Sequence, residues 1–147
     1  MWTDESPMLS PQNGKTRHIT LIDPDKQSPE VAANRALVAV ECGTSAIFVG
    51  GSTNTGDELV HTTCQAIQEA LELRVFAASQ HPDANEEMWN VPVILFPGGA
   101  HAMSSSADGI LFMMLMNSRS RQFLIEEQLK GAPLIGQFGI KPISTGY

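Results

Sequence analysis

The chain of 147 residues is long enough for one domain with a buried core, and its 42% hydrophobic and 17% charged residues exclude a disordered chain. Its formal net charge of −7 argues against a nucleic-acid backbone as the main partner, although a bound divalent cation would still allow an anionic substrate. No apolar run reaches the ~18–20 residues of a membrane span. Cys42 and Cys64 lack metal-binding spacing, so we predict reduced thiols that pack in the core of a cytosolic protein.

The first predicted strand leads directly into an acidic turn. Residues 1–16 are polar and rich in turn formers, so we expect a flexible leader before a domain that covers residues 17–147. Residues 18–23 are rich in β-branched side chains, which favour a strand. Pro24 ends this strand by fixing φ and removing an amide donor, and it holds Asp23 in extended geometry. The sequence therefore predicts a carboxylate at the mouth of the first strand.

Helix and strand signals then alternate through the middle of the chain. Ser28, followed by proline, predicts the start of a helix, and Gly43 predicts its end. Residues 45–49 form the second predicted strand. Asp57 is expected to cap a second helix, which we expect to end before a polar surface excursion at residues 74–90. The apolar faces of the two helices are predicted at Ala33, Ala36, Leu37 and Val40 and at Val60, Thr63, Cys64, Ile67 and Leu71.

The second half of the chain repeats this pattern with one change. Residues 91–96 predict a third strand, after which a short serine-rich segment stands where a crossover helix would be expected. Residues 109–116 predict a fourth strand, whose Phe112 and methionines we expect in the core. A helix is predicted at residues 120–130, and residues 139–147 have the character of a loop that enters a fifth strand. The signals that would end this helix are Gly131 and Pro133.

Four strands that alternate with helices predict an α/β fold with a parallel sheet covered on both faces. Right-handed crossovers place the carboxyl ends of all the strands at one edge of such a sheet. Polar or glycine-rich loops follow every predicted strand at that edge. These loops begin with Asp23, Gly50-Gly51-Ser52, Gly98-Gly99 and Asn117-Ser118-Arg119. Their coincidence is the strongest indication of a functional site.

The loops after the first two strands carry the oxygen ligands that Mg²⁺ prefers. Adjacent strands lie about 4.8 Å apart, so Asp23 and Ser52 could reach one ion. The amides of Gly50 and Gly51 could donate to a phosphate oxygen. A structural interpretation stays open for the same residues, with Asp23 in a simple turn and the glycines in a tight strand-to-helix connection. His101, after the third strand, is the one histidine placed near this edge.

Five segments occur in order along the chain: LIDPDKQ, GTSAIFVGGST, PVILFPG, FMMLMNSR and GAPLIGQFGIKPISTGY. Together they resemble the geranylgeranylglyceryl phosphate synthase family, the archaeal-type prenylglyceryl phosphate synthases. The resemblance implies a (β/α)₈ TIM barrel and a cytoplasmic, Mg²⁺-dependent prenyltransferase. Such an enzyme joins the C3 hydroxyl of sn-glycerol 1-phosphate to C1 of geranylgeranyl diphosphate and releases diphosphate, in the synthesis of archaeal ether lipids.

The resemblance also implies roles for individual residues. Asp23 matches the family's metal aspartate and Ser52 its metal serine. Metal and backbone amides together would stabilise the charge that develops on the departing diphosphate. For Lys26 and Arg119 a solvated surface position is an equally good interpretation. The further candidates for binding diphosphate are Gly50, Gly51, Lys26, Asn117 and Arg119.

The chain departs from the family in its length. An eight-stranded barrel takes about 250 residues, and this chain supplies about four of the eight strand–helix units. The family's Tyr-Leu-Glu strand, with its glutamate base, and its two glycine loops for glycerol phosphate have no match here. We therefore expect a truncated half barrel that is inactive alone, with the first and fourth strands as unpaired edges that favour homo-oligomers. The alternative is a non-catalytic phosphate- or diphosphate-binding scaffold in which two half barrels form a dimer.

Overall fold

The computed structural model describes residues 16–51, 55–113 and 116–143, so nearly all of the predicted leader lies outside it. Within these residues the strands are β1 (Ile19–Ile22), β2 (Ala46–Gly50), β3 (Val93–Phe96), β4 (Gly109–Ile110) and β5 (Lys141–Pro142). The helices are α1 (Pro29–Glu41), α2 (Asp57–Ser79) and α3 (Glu127–Phe138), with 3₁₀ turns at Pro24–Lys26 and Glu86–Trp89 and a π-helical turn at Gln122–Glu126. No helix in this described part combines the length and apolar character needed to cross a bilayer.

All five strands are parallel, and each pairs with its neighbour in sequence, in the order β1-β2-β3-β4-β5. A doubly wound sheet would reverse its order at a switch point, whereas a sequential order is that of a TIM barrel. The fold is therefore α/β of the (β/α)₈ TIM-barrel type, with five strands of the sheet described. β5 bonds to β4 through the amides of Lys141 and Ile143. The prediction that the fourth strand is an unpaired edge is thus wrong.

β4 is much shorter than the strand predicted at residues 109–116. It pairs with only two residues of each neighbour, and an apolar run does not extend as a strand without a partner backbone. Met113 and Met116 are 51% and 75% exposed, so their predicted core positions are wrong. Phe112 is half-buried against Gly131, where a Cβ atom would lie 2.5 Å from the phenyl ring. The described residues omit Met114 and Leu115.

The predicted local signals set both ends of α1. The hydroxyl of Ser28 accepts a hydrogen bond from the amide of Val31 at 3.4 Å, and proline occupies the first turn. Gly43, with φ +90°, follows the last turn in the left-handed conformation that glycine favours. Cys42 lies at the C-cap and is exposed, so its predicted core position is wrong, whereas Cys64 on α2 is buried as predicted.

α2 is longer than the sequence predicts. Its N-cap is Gly56, not the predicted Asp57, whose carboxylate accepts instead from the amide of Glu58 at 2.8 Å. The helix continues to Ser79 because residues 74–79 include good helix formers and no glycine or proline. The predicted surface excursion is therefore confined to the residues after Ser79.

α3 also runs past its predicted end. Gly131 and Pro133 lie inside the helix, and Gly139, in the left-handed conformation at φ +67°, follows its last residue. Leu134, Ile135 and Phe138 pack against the core from the turns beyond Pro133. Tertiary packing has overridden the local preference of proline.

The three helices cover only one face of the sheet. They pack there around fully buried side chains that include Ile47 and Ile67. The opposite face carries a smaller cluster centred on Ala46 and Ile94, and Leu21 on it is 60% exposed. Among the described residues, the prediction of a sheet covered on both faces is thus wrong. We call this surface the open face; it comprises Ile19, Leu21, Ala46, Phe48, Ile94, Phe96, Leu111 and Ile143, and it corresponds to the interior of a barrel.

Candidate functional site

Asp23 occupies the predicted place at the carboxyl end of β1, where it also organises the acidic turn. Its backbone is extended, with φ −99° and ψ 112°, as a residue before proline prefers. Its Oδ1 accepts a hydrogen bond from the amide of Asp25 at 3.0 Å, and its carbonyl accepts from the Gln27 side chain at 2.9 Å. The side chain is half-buried. The turn interpretation is therefore correct for one carboxylate oxygen, while a metal role for Asp23 stays a prediction.

A second carboxylate in the same turn, Asp25, joins the first loop to the second. The hydroxyl of Thr55 donates to Oδ2 of Asp25 across the gap between the loops that follow β1 and β2. Thr55 is 1% exposed, whereas Asp25 is exposed. Sequence reasoning missed this pair, although the repeated acid in the DPD turn and the threonine just before α2 were both visible. A carboxylate–hydroxyl pair thus bridges the two predicted loops.

The glycines at the end of β2 are required by close packing. A Cβ atom on Gly50 would lie 2.7 Å from the carbonyl oxygen of Phe96 on β3. A Cβ atom on Gly51 would collide with the side chain of Thr55. Any larger residue would push this loop away from its neighbours. Packing alone therefore accounts for both glycines, and their predicted contact with a phosphate stays a prediction.

The other predicted site residues are less closely placed. Ser52 lies outside the described residues. Lys26 is exposed in the 3₁₀ turn beside the two aspartates. Asn117 and Arg119 are exposed after β4, which lies three strand spacings, about 14 Å, from β1. Lys26 is thus part of the acidic turn, whereas Asn117 and Arg119 lie on the far side of the same edge.

The donor set at this edge suits Mg²⁺ better than a transition metal. In the described part of the chain, no three His, Cys, Asp or Glu side chains come together as a metal site. Asp23 and Asp25 offer only hard oxygen donors, whereas the hydroxyl of Thr55 is buried and bonded to Asp25. Mg²⁺ usually takes one or two protein carboxylates and completes its shell with water and substrate phosphates. The residues present therefore fit a magnesium ion that is held jointly with a phosphorylated ligand.

The loop after β3 is fixed by a buried carboxylate from α3. Glu127 is 6% exposed; its Oε2 accepts from the amide of Ala100 at 2.8 Å and its Oε1 from Nζ of Lys130 at 3.1 Å. Chiefly the Ala100 amide, and then Lys130, hold the pKa of Glu127 below its usual 4.5. A Cβ atom on Gly99 would lie 2.8 Å from Oε2 of Glu127. The predicted Gly98-Gly99 loop is thus attached to the helix, and His101 beside it is exposed.

A Glu127→Gln variant is expected to be less stable than the native chain by about 1 kcal/mol at pH 7, because it loses a charge-assisted hydrogen bond. The folded-state pKa lies below the unfolded one, so this stabilisation is present above pH ~4.5 and is lost as the pH falls through the folded-state pKa. Thermal unfolding of both proteins between pH 7 and about pH 3 measures the difference, which should shrink with acidity.

The matched control for this prediction is Glu126→Gln. Glu126 is one residue away and pairs at 3.5 Å with Arg121, which is largely exposed, so its neutralisation should change stability little. A Glu127→Gln protein as stable as the native chain at pH 7, or a difference that does not vary with pH, would contradict the assignment of the buried carboxylate.

The fold and this edge together define a class of protein: an α/β chain of the TIM-barrel type, with acidic and glycine-rich loops at the carboxyl ends of its strands. That is the edge at which barrel enzymes bind their ligands. The chain belongs to the PcrB family, whose model matches residues 12–147.

Relatives of known name share this family. A geranylgeranylglyceryl phosphate synthase of Methanosarcina acetivorans is 44% identical over 136 residues, which are 92% of this chain and 47% of the relative. The synthase of the same name from Methanopyrus kandleri is 40% identical over 130 residues, which are 88% of this chain and 46% of the relative. The chain thus spans about half the length of the curated relatives it matches. The resemblance noted in the sequence is confirmed.

Two solved structures show the same fold. Wild-type GGGPS from Thermoplasma volcanium superposes with a TM-score of 0.70 at 36% identity, over 88% of this chain and 45% of that one. The (S)-3-O-geranylgeranylglyceryl phosphate synthase of Thermoplasma acidophilum, in complex with its substrate sn-glycerol-1-phosphate, gives 0.74 at 30% identity, over 97% and 51%. The TIM-barrel assignment is confirmed, with about half of a barrel chain matched.

Proposed function

We propose that this chain supplies the metal- and diphosphate-binding part of a Mg²⁺-dependent prenyltransferase. The enzyme would transfer a geranylgeranyl group from its diphosphate to the C3 hydroxyl of sn-glycerol 1-phosphate. The observation that carries the proposal is the hydrogen bond between Thr55 and Asp25 that joins the loops after β1 and β2. It occurs in a chain that is 44% identical to a geranylgeranylglyceryl phosphate synthase. The sn-glycerol-1-phosphate in the Thermoplasma acidophilum complex supports this acceptor.

The chemistry requires a site that stabilises a leaving group. The glycerol oxygen bonds to C1, the bond from C1 to the diphosphate oxygen breaks, and diphosphate departs with the electron pair. Because C1 is allylic, bond breaking runs ahead of bond making, and negative charge develops on the diphosphate. A bound Mg²⁺ would supply a Lewis acid for that charge. The hydroxyl proton must pass to a base, a role that we give to none of the described residues.

The chain's own residues have distinct tasks in this proposal. Asp23 and Ser52 are the proposed metal ligands, with the amides of Gly50 and Gly51 facing the diphosphate. Lys26, exposed next to the acidic turn, can follow the leaving group as a mobile cation. Asn117 and Arg119 lie at the far side of this edge, so they would contact the donor substrate only if it spans several strands. Together these groups would bind and orient the donor substrate.

The proposal is tested first on the chain as it stands. We expect calorimetry to show binding of inorganic diphosphate that depends on Mg²⁺ and disappears with a chelator. We then expect prenyl transfer from a chimera that joins this chain to the part of the Methanosarcina acetivorans synthase beyond the matched region. A folded chimera without product, together with a chain that does not bind diphosphate, would overturn the proposal.

A second candidate function is a non-catalytic diphosphate-binding half barrel that pairs with another copy. The open face favours it, because a 60%-exposed leucine beside the stacked Phe48 and Phe96 rings, 6.0 Å apart, is an unusual surface for a monomer. Light scattering after gel filtration separates the two candidates. A defined homodimer that binds diphosphate but does not complement the relative's second half would favour the scaffold.

A further inference from the structure

We propose that Thr55 is a positioning residue for the acidic turn, acting through Asp25 on Asp23. The inference rests on the proposed function, since it concerns the way in which the same site holds Mg²⁺ and diphosphate. Thr55 belongs to the loop before α2, whereas both aspartates follow β1. The threonine therefore links two segments that are separate in sequence.

The first part of the link is a hydrogen bond from a buried donor. The Thr55 hydroxyl carries a single proton and donates it to Oδ2 of Asp25, while the residue itself is 1% exposed. A buried, β-branched side chain has few rotamers, so the direction of this donor is well defined. Asp25 is exposed, so this hydrogen bond restricts the rotamers of its side chain.

The second part of the link lies in the backbone of the turn. The amide of Asp25 donates to Oδ1 of Asp23 at 3.0 Å, so the turn that Thr55 tethers through the Asp25 side chain also orients the Asp23 carboxylate. The amide of Lys26 donates to the carbonyl of Asp23 at 3.1 Å and completes the turn. Order imposed by Thr55 is thus transmitted to the predicted metal ligand over two hydrogen bonds.

The packing of Thr55 against the loop after β2 supports the same positioning role. Its side chain occupies the space that a Cβ atom on Gly51 would need, so the loop after β2 closes directly on it. The same residue therefore sets the position of the Gly51 backbone and, through Asp25, of the acidic turn that carries Asp23. These are the two components that would face a magnesium diphosphate from adjacent strands.

The test compares three variants of the whole chain by calorimetric titration with inorganic diphosphate in the presence of Mg²⁺. Thr55→Val keeps the shape and removes the hydroxyl, and we expect binding to weaken by about tenfold to a hundredfold, as for outer partners of metal ligands. Thr55→Ser restores the donor and should bind within about threefold of the native chain. Thr63→Val is the control, because Thr63 is also buried on α2 and its hydroxyl has no hydrogen-bond partner among the described residues.

Each outcome decides the question. Native binding by a folded Thr55→Val chain, or equal loss in Thr55→Ser and Thr55→Val, would overturn the positioning role. If Thr55→Val does not fold, Thr55→Ala replaces it, since it removes the same hydroxyl without adding volume; the same loss of affinity supports the link and native affinity overturns it. A native chain that does not bind magnesium diphosphate overturns the proposed function instead.

Discussion

An Asp23→Asn variant of the chimera is expected to lose at least about a hundredfold of its Mg²⁺-dependent turnover, since even the outer partners of metal ligands are worth tenfold to a hundredfold. Asparagine keeps the oxygen that accepts from the Asp25 amide, so the turn should survive while the charge is lost. The reason for the loss is electrostatic. A neutral amide is a poor ligand for Mg²⁺, and the ion would no longer be held against the departing diphosphate.

Turnover as a function of Mg²⁺ concentration is the measurement that checks this expectation. Asp83→Asn is the matched control, because Asp83 is exposed in the turn after α2, far along the chain from the acidic turn. Ser52→Ala should have a smaller effect, since water can replace a hydroxyl ligand. Full turnover by the Asp23→Asn protein would mean that Asp23 is only the cap of its turn.

The largest expected effect on stability comes from Ile47→Ala. Ile47 on β2 is fully buried between the sheet and the helices, and truncation of such a side chain costs about 2–5 kcal/mol. For a chain of this size, the melting temperature should fall by roughly 10 °C. Thermal and urea unfolding of the native and variant chains measure the loss.

Leu21→Ala is the matched control, as it truncates an aliphatic side chain on the neighbouring strand. Leu21 lies on the open face and is 60% exposed, so its loss should cost less than about 1 kcal/mol. A cost for Leu21→Ala equal to that for Ile47→Ala would show that the open face is covered in solution. The pair therefore distinguishes the two faces of the sheet by a single experiment.

Features that depend on local sequence were predicted well. Ser28 with its following proline and Gly43 set the ends of α1, because caps act through hydrogen bonds and dihedral angles within a few residues. The buried positions of α2 also follow from their spacing alone. The strand ends likewise meet at one edge, as right-handed parallel crossovers require.

Features that depend on tertiary contacts were not predicted. Pro133 reads as a helix end but lies inside α3, since packing on the core outweighs its local cost. β4 was overestimated because an apolar run does not show how much partner backbone is available to it. The open face was missed, since buried parallel strands have the same composition whether helices or a barrel interior cover them.

The residues of the candidate site also differ in whether local sequence or tertiary contacts determine their positions. Asp23 could be placed from sequence because it directly follows a strand and precedes a proline. Asp25 and Thr55, 30 residues apart, could not be paired, because only the crossing of two loops brings them together. Glu127 carries no signal in the sequence, because its burial depends on the distant Gly99 and Ala100.

The two outer strands of the described sheet, β1 and β5, differ in their ability to pair with a strand from another molecule, which is the step that starts amyloid-like growth. The amides of Lys141 and Ile143 bond towards β4. The residue between them, Pro142, is the one whose amide would point away from the sheet, and proline has no amide hydrogen to donate. A strand from another molecule that docks on β5 therefore lacks one hydrogen-bond donor at Pro142 and meets the charged side chain of Lys141. Edge-to-edge addition to the described sheet should therefore be easier at β1 than at β5.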